Sequence, residues 1–268
     1  MQVSHGQPAG RTLEEKMPFP PSLPSRRRAA LPPRRVDGIF EHKGGFPMDV
    51  AQAVQARRSI RAFRPDPVPQ EVLREILELA CRAPSWENTQ PWEFAVVGGE
   101  KLGGLRQALT EASSLPGEPA PDLPYPRFTE PYLSRRRHLG MTVFEAKGIA
   151  REDTEKRRQW GLTGVRLFEA PNAIFLFMDR SLESGWSLID AGLVTMAIAA
   201  LAPKYGLGTC VQAAPARYPQ VVRRVLGIPE SKKLILAIAI GYPDPVEPVN
   251  QLHTPREPLD KMTSWHLG

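Results

Sequence analysis

The sequence predicts an α+β fold in which helices flank a mixed central sheet. Three apolar runs have the length and composition of buried strands: "WEFAVVG" from residue 92, "NAIFLFMD" from residue 172 and "LILAIAIGYP" from residue 234. Segments in which apolar residues recur at helical spacing separate these runs. Strands separated by helices in a mixed order favour one mixed sheet between helical layers.

Length and composition indicate one domain with an appendage. The chain has 268 residues, of which 41% are hydrophobic and 24% are charged, as in ordinary soluble proteins. Its net charge is +6, but residues 1–47 alone hold eight Lys or Arg against four Asp or Glu. The rest of the chain is therefore nearly balanced. A domain of somewhat over 200 residues can bury a full hydrophobic core.

Residues 1–47 are rich in proline and arginine and show neither helical nor strand periodicity. Such a segment buries too little apolar surface to offset its ordering entropy, so we expect a disordered basic arm. Its "RRR" is followed by no apolar run before Pro32 and Pro33, which argues against an export signal. The folded domain is expected to span residues 48–268. Binding of the arm to nucleic acid or to a membrane is the alternative.

Two helices open the predicted domain. The first follows a possible N-cap at Asp49 and ends at "RRSIRAF"; the second runs from Gln70 to Arg82 with one apolar stripe. The loop "PSWENTQPW" follows, and after the first strand a helix is expected from Lys101 to Ala112. In residues 113–165 prolines and charges accumulate before one or two helices, which is typical of a lid or binding loop.

The second half contains a nearly all-apolar helix, "SLIDAGLVTMAIAALAPKYGLG", closed by Gly206. Its most hydrophobic stretch, residues 191–202, is about a dozen residues and precedes Pro203, which suits a buried core helix better than a membrane span. "GTCVQAA" is expected as a short strand or turn. "YPQVVRRVLGIP" predicts a helix stopped by Gly227 and Pro229.

The common catalytic motifs do not occur. The sequence contains no CxxC, HExxH, GxSxG or GxxxxGK, and its five histidines are not paired at metal-ligand spacing, so no metal site is predicted. Cys81 and Cys210 lie in apolar segments and are expected to be reduced core thiols of a cytoplasmic protein. If the protein is an enzyme, a cofactor should therefore bring the reactive atom.

The segment "RRSIRAF" is the first cluster that suits a cofactor. Guanidinium groups present planar paired donors to phosphate oxygens, and a hydroxyl adds another donor. The cluster consists of Arg57, Arg58, Ser59 and Arg61. The alternative is a solvated basic helix end that complements the helix dipole.

The loop "PSWENTQPW" is the second such cluster. Asn88 and Gln90 can each donate and accept, which suits the carbonyl and imide edge of a heteroaromatic ring. Trp86 and Trp92 are alternatively core anchors with satisfied indole N–H groups.

Six stretches in a fixed order resemble the nitroreductase family of flavin mononucleotide (FMN) enzymes and span most of residues 49–262. They are "ARRSIRAFRPDPVP", "ELACRAPSWENTQPWEFAVV", "FEAPNAIFLFMD", "DAGLVTMAIAALAPKYGLGTC", "VLGIPESKKLILAIAIGYPD" and "PREPLDKM". The resemblance implies a nitroreductase-like intertwined homodimer with two flavin sites at the subunit interface.

The resemblance also implies roles for individual residues. Phosphate and ribityl contacts fall to Arg57, Arg58, Ser59 and Arg256, and Arg61 reaches the pyrimidine edge of the flavin. The loop that the partner subunit places over the flavin matches Pro84, Ser85, Trp86 and Asn88. The segment from Cys210 matches the one whose backbone N–H lies near flavin N5, and that N–H is expected from Ala213 or Ala214.

The chain departs from the family pattern at two positions. Many relatives have a small residue where Trp86 stands. Close relatives often have an asparagine before the "AP" strand, and if Gly164 is the aligned position, one flavin hydrogen bond is missing or is supplied elsewhere.

The implied activity is transfer of hydride from NADH or NADPH through FMN to a nitroaromatic or similar small aromatic acceptor, by a ping-pong mechanism. In the insertion, Tyr132, Phe144 and Trp160 are expected to cover the acceptor, and Arg135, Arg136 and Arg137 to attract an acidic one such as a nitrobenzoate. Enone reduction and reductive dehalogenation on the same scaffold remain alternatives. A nucleic-acid or membrane-binding protein that uses the basic arm is the alternative from another class.

Overall fold

The computed structural model describes residues 48–117, 119–182 and 185–268, so the predicted N-terminal arm lies outside the described residues. This part of the chain contains seven α-helices and four strands. The helices are α1 Val50–Ala56, α2 Gln70–Ala80, α3 Gly99–Ser114, α4 Tyr132–Ala146, α5 Thr154–Val165, α6 Gly185–Leu201 and α7 Pro219–Leu226. The strands are β1 Glu93–Gly98, β2 Asn172–Asp179, β3 Gly208–Gln212 and β4 Lys232–Gly241.

The four strands form one sheet in the order β1-β2-β4-β3. All three neighbouring pairs are antiparallel. The parallel component that the structure describes is a bridge between Ser59 and Thr209, which adds the "RRSIRAF" segment to the outer edge of β3. The predicted α+β fold is confirmed, and this bridge becomes important at the candidate site.

Helices cover both faces of the sheet, and alternate residues of β2 point into the two resulting cores. Phe175 and Phe177 pack in the core beneath α3, α5 and α7. Ile174 and Leu176 pack on the opposite face, where α2 and α6 supply the other apolar side chains. This explains why β2 is apolar without alternation: all its residues except Asp179 are buried.

The helix ends follow the predicted signals. The Asp49 carboxylate accepts the Gln52 N–H at 2.7 Å, and the Gln52 side-chain oxygen accepts the Asp49 N–H at 3.0 Å, so α1 begins with a capping box. A short 3-10 turn extends α6 to Gly206, which has a φ of 69°. Gly227 ends α7 with a φ of 71°. Both glycines adopt the left-handed conformation that closes a helix.

The segment formed by α6 and its following turn has one side that the described residues leave open. It spans 21 residues, Gly185–Tyr205, and is long and apolar enough to cross a membrane by length and composition, with 44% of its most apolar window buried. A core helix meets the same criteria, and Val194 and Ile198 do pack into the core. The exposed side chains, here called the α6 face, are Trp186, Leu188, Ile189, Leu193 and Met196.

The start of the predicted insertion is anchored to the sheet rather than free. The Asp122 carboxylate accepts the Leu234 N–H at 2.8 Å and hydrogen bonds from Arg180 and from Arg223, whose side chain is fully buried. Burial raises the pKa of Asp122, but these hydrogen bonds outweigh it, so the pKa lies below its ordinary value. The ionised carboxylate therefore ties the insertion to β4 and α7.

Candidate functional site

The basic segment after α1 meets the edge of β3 at an isolated parallel bridge between Ser59 and Thr209. The Ile60 N–H donates to the Thr209 carbonyl oxygen at 2.9 Å, and the Ile60 side chain is buried. Gly208 permits this close approach, because a Cβ there would overlap Ile60 Cγ1 and lie 2.9 Å from Pro243 Cγ. The basic cluster therefore begins at the end of α1, where Arg57 is the C-cap, and reaches the edge of the sheet at Ser59.

Asn250 holds the next two residues of this segment. Its side chain is buried, and its Oδ1 accepts the Arg61 N–H at 2.8 Å and the Ala62 N–H at 3.2 Å. Its Nδ2 donates to the Ala62 carbonyl oxygen at 2.8 Å and to the Asp244 carbonyl oxygen at 3.0 Å. A single amide therefore uses both of its ends to fix the backbone that carries Arg61.

Arg57 and Arg58 line a cavity of about 190 Å³ together with Gly208 and Thr209. The Nε of Arg58 is buried and has no hydrogen-bond partner among the described residues. Since a buried N–H without a partner is costly, this donor suits an anion.

Arg61 and Ser59 lie beside Cys210 of β3. Burial raises the pKa of the Cys210 thiol to about 11, against smaller lowering effects of the Arg61 charge and of a hydrogen bond with Ser59. The thiol is therefore neutral at pH 7, and the sulfur is not poised as a nucleophile. The effect of the Arg61 charge on this pKa shows that Arg61 lies close to Cys210 of β3.

The loop "PSWENTQPW" has an unusual backbone. The φ angles of Glu87, Asn88 and Gln90 are 47°, 60° and 48°, all in the left-handed region that non-glycine residues rarely adopt. The Trp86 N–H donates to both carboxylate oxygens of Asp190, at 3.1 and 3.2 Å, and the Gln90 N–H donates to Ser85 Oγ at 3.0 Å. Strain of this kind persists where surrounding contacts hold it, commonly at functional sites.

The two tryptophans of this loop differ. Trp92 is buried in the core, as an anchor would be. Trp86 is 52% exposed, and its ring lies over the ring of Trp186 with centroids 4.8 Å apart. Trp86 is thus not a core anchor of its own chain, and together with Trp186 it extends the α6 face.

The end of β3 meets α5 at Gly164. Gln212 Nε2 donates to the Gly164 carbonyl oxygen at 2.9 Å, while Gln212 Oε1 is buried and has no partner in the described chain. A Cβ at position 164 would lie 3.8 Å from the Ala214 Cβ and 4.0 Å from Gln212 Nε2. The Tyr125 hydroxyl donates to the Ala213 carbonyl oxygen at 2.8 Å. The insertion therefore contacts the predicted flavin N5 segment at Gln212 and at Ala213.

A second left-handed segment lies beside this junction. Leu167, Phe168 and Glu169 have φ angles of 61°, 52° and 55°. The Phe168 ring lies 5.6 Å from the Trp160 ring, and it is also near the position that a Cβ of Gly164 would occupy. The sequence "RLFEAP" contains no glycine or asparagine, so it does not predict these left-handed φ angles.

The predicted lid residues each have a cationic neighbour within the insertion. Arg135 lies 5.5 Å from the Tyr132 ring centroid, Arg157 lies 4.2 Å from that of Phe144 and Lys147 lies 5.6 Å from that of Trp160. Covering of an acceptor by these three rings stays a prediction.

Arg256 lies in a different cavity from Arg57 and Arg58. It lines a cavity of about 680 Å³ between α4 and the C-terminal segment, together with Arg135. The two cavities share no lining residue. Of the predicted phosphate residues, the structure therefore brings together those of "RRSIRAF" but assigns Arg256 to another cavity. The described residues contain no group of three or more His, Cys, Asp or Glu that could hold a metal ion.

Comparison with known proteins decides the family. The model of the nitroreductase family matches residues 54–242. The chain belongs to the nitroreductase family.

Similar nitroreductases are known by sequence and by structure. Nitroreductase NfnB of Mycolicibacterium smegmatis is 35% identical over 82% of this chain and 96% of its own length. A 4-nitrobenzoate reductase of Nocardioides sp. is 32% identical over 79% of this chain and 87% of its own length. The FMN and NADPH-dependent nitroreductase NfnB from Sphigopyxis sp. strain HMH superposes with a TM-score of 0.78 at 34% identity, over 82% of this chain and 99% of its own.

Four residues that organise the candidate site were not predicted from the sequence: Asn250, Asp190, Gln212 and Tyr125. Asp190 did carry a signal, because it is the single carboxylate within an otherwise apolar helix. The other three are polar residues in polar or mixed surroundings, and their partners are distant in sequence.

We predict that Gly208→Ala lowers the free energy of unfolding by about 1–3 kcal/mol, as overpacking does, because the added methyl collides with Ile60. Equilibrium urea unfolding measures this difference. Gly103→Ala in α3 is the matched control: no heavy atom lies within 4 Å of its Cβ position, so it should raise the free energy of unfolding by up to about 1 kcal/mol. Equal values for the two variants would contradict the close approach.

Proposed function

We propose that the protein is an FMN-dependent oxidoreductase that uses NADH or NADPH to reduce a nitroaromatic or similar small aromatic acceptor. The observation that carries this proposal is the basic segment at the edge of β3, with Arg58 Nε buried and unpartnered. The relative from Sphigopyxis is named as FMN and NADPH-dependent, and the NfnB structure from Mycobacterium smegmatis, with a TM-score of 0.76, is a complex with NADPH.

The residues fit FMN in their chemistry. The buried Arg58 N–H and the neighbouring Arg57 suit a phosphate group, with Ser59 as an additional donor. Arg61, fixed through its backbone by Asn250, would place a positive charge at the pyrimidine edge. The N–H of Ala213 or Ala214 would face flavin N5. Their segment is held by the Tyr125 hydroxyl and by Gln212.

The Gln212 side chain can replace the asparagine amide that close relatives have where this chain has Gly164. It bonds the backbone of Gly164 through Nε2, which leaves Oε1 buried with an unused acceptor. We propose that this oxygen accepts a hydrogen bond from the bound cofactor. A hydrogen bond to Gln212 of β3 would then replace the flavin hydrogen bond that is missing at Gly164.

Bound FMN would supply the hydride chemistry, accepting hydride from NAD(P)H and passing it to the acceptor. The chain would contribute orientation and electrostatics: the Arg61 guanidinium stabilises negative charge at the pyrimidine edge, and the neutral Cys210 thiol adds no competing charge. One cavity would receive the reductant and then the acceptor, which is a ping-pong order.

A second copy of this chain is the proposed occupant of the α6 face. A one-chain cavity of about 190 Å³ lies below the roughly 300–1,000 Å³ typical of ligand pockets, so another surface must complete the flavin site. The α6 face, where the Trp86 ring contacts the Trp186 ring, is exposed and apolar and could receive a partner. We therefore propose a homodimer in which Pro84, Ser85, Trp86 and Asn88 of each subunit close the flavin site of the other.

Cys81 and Cys210 are free thiols, which supports a cytoplasmic location. For the whole chain we propose a small-molecule reductase without a nucleic-acid or membrane partner. Residues 1–47, on which those alternatives rest, lie outside the described residues.

The purified protein should show flavin absorbance, or acquire it with added FMN, and NADPH should bleach it. Arg58→Ala should weaken FMN binding at least tenfold, since a hydrogen bond to a charged group contributes about 1.5–3 kcal/mol. Fluorescence titration with FMN measures the affinity. Arg64→Ala is the control, because Arg64 is exposed and pairs with Asp66 at 2.9 Å. No flavin absorbance and no FMN uptake would refute the proposal.

Turnover with a nitrobenzoate, an enone and a halophenol ranks the three flavin chemistries. The nitro compound should give the highest kcat/KM. Turnover of the enone or the halophenol without the nitro compound would replace nitroreduction by the corresponding alternative.

The dimer is tested by a charge on the α6 face. Ile189→Lys should convert the dimer to a monomer in sedimentation velocity and should lower FMN affinity at the same time, because the loop over the flavin comes from the partner. Val246→Lys is the control, since Val246 is also exposed but lies outside the α6 face. A monomeric wild-type protein with full FMN affinity would contradict the shared site.

A further inference from the structure

Near its start, the insertion contains a stiff segment that side chains attach to the sheet. Residues 121–126, "PDLPYP", here called the strap, contain three prolines and lie in no helix or strand. Proline has a fixed φ and no N–H, so the strap has little conformational freedom and few backbone donors. Two of its side chains attach it: the Asp122 carboxylate accepts the Leu234 N–H of β4, and the Tyr125 hydroxyl donates to the Ala213 carbonyl oxygen at 2.8 Å.

The Tyr125 hydroxyl is protonated at neutral pH. Burial raises the pKa of Tyr125, and the charge of Arg217 lowers it by less. The phenol therefore keeps its proton at pH 7. Since a carbonyl oxygen can only accept, the hydroxyl must be the donor of this hydrogen bond. Tyr125 thus holds the carbonyl group of Ala213 in one direction.

The held carbonyl sets the direction of the next N–H. The Ala213 carbonyl and the Ala214 N–H belong to one peptide group, and they point in opposite directions because that peptide bond is trans. The Ala214 N–H has no hydrogen-bond partner among the described residues. An unused donor therefore points away from the strap.

The strap and the basic segment lie on opposite sides of β3. The neighbour of β3 on one side is β4, to which the strap is bonded. Tyr125 and Ala213 line one small cavity with Leu234 near the start of β4. On the other side of β3 lies the basic segment, which bridges the strand at Ser59. Because the Ala214 N–H points away from the strap, it is directed to the side that carries the basic segment.

We infer that Tyr125 is a positioning residue that makes the Ala214 N–H the donor to flavin N5; this rests on the proposed function. A hydroxyl on the carbonyl polarises the peptide group and strengthens its N–H as a donor, by roughly 10–30% per bond in a hydrogen-bonded chain. The Ala213 N–H belongs to the preceding peptide group and gains nothing from this contact. Of the two candidate N–H groups, the geometry therefore selects that of Ala214.

The expected consequence is a lower reduction potential of the bound flavin. Oxidised N5 accepts a hydrogen bond through its lone pair, whereas N5 of the two-electron reduced ring carries a hydrogen and accepts poorly. A stronger donor at this atom therefore stabilises the oxidised form more than the reduced form, and the equilibrium shifts by that difference. Tyr125 exerts this effect through Ala214, without contact to the acceptor.

The test is Tyr125→Phe in the FMN-loaded, full-length protein, which removes the hydroxyl and keeps the ring. Oxidised FMN should bind about threefold more weakly, as expected for the loss of one neutral hydrogen bond, and the affinity for reduced FMN should stay nearly unchanged. Because a tenfold change in a two-electron equilibrium corresponds to about 30 mV, the midpoint potential should rise by about 14 mV. Reductive titration against a reference dye measures this potential.

The matched control is Tyr218→Phe. It also removes one phenol hydroxyl near the predicted N5 segment, since Tyr218 lies close enough to Tyr125 to affect its pKa. The hydroxyl that bonds the Ala213 carbonyl is nevertheless that of Tyr125. The midpoint potential of this control should equal that of the wild type.

Amide ¹⁵N resonances of the FMN-free, full-length protein test the contact without any flavin. Loss of the Tyr125 hydroxyl should shift the Ala214 resonance, because that nitrogen shares a peptide group with the held carbonyl. Tyr218→Phe should leave the Ala214 resonance in place. An unshifted Ala214 resonance in Tyr125→Phe would overturn the inference.

Three further outcomes would also count against it. A shifted Ala214 resonance with an unchanged potential would show that this N–H does not face N5. A changed KM for the acceptor at an unchanged potential would make Tyr125 an acceptor contact instead. If the wild type binds no FMN, the proposed function fails and the inference fails with it. If it binds FMN while Tyr125→Phe and Tyr218→Phe have the same potential, the inference alone fails.

Discussion

The pairing of residues 59–62 with β3 and Asn250 is the constraint on which the rest of the site depends. One backbone hydrogen bond joins Ile60 to Thr209, and the Asn250 amide fixes Arg61 and Ala62 on the other side. Because Gly208 has no side chain, the two backbones can approach closely enough for this pairing. Every basic group proposed to contact FMN is positioned by this segment or lies beside it.

Buried polar groups hold the remaining walls in place. The Asp190 carboxylate accepts the Trp86 N–H and so holds the strained loop against α6, and Gln212 joins the end of β3 to α5. Both side chains are buried, and their hydrogen bonds orient the backbone of a neighbouring segment. In a single chain the α6 face is exposed and the cavity beside Arg57 and Arg58 is small. A second subunit would cover this face and complete the cavity.

Much of the fold was predictable because its signals are local. The apolar run of β2, the capping residue Asp49 and the stop at Gly206 each act within a few residues. The basic cluster and the loop "PSWENTQPW" were also visible locally. Asn250 was not, because its partners lie 188 and 189 residues away. The left-handed turn at Leu167–Glu169 and the placement of Arg256 in the cavity between α4 and the C-terminal segment likewise arise from tertiary packing, which local propensity does not predict.

Hydrogen exchange at the Ile60, Arg61 and Ala62 amides, followed by NMR in the absence of flavin, tests this constraint most directly. If the chain itself builds the basic edge of the site, these amides should exchange as slowly as those of β3, and Asn250→Ala should accelerate Arg61 and Ala62 before the protein unfolds globally. Exchange at the rate of exposed loop amides in the wild type would show that the segment is ordered only by its ligand, and would contradict the account.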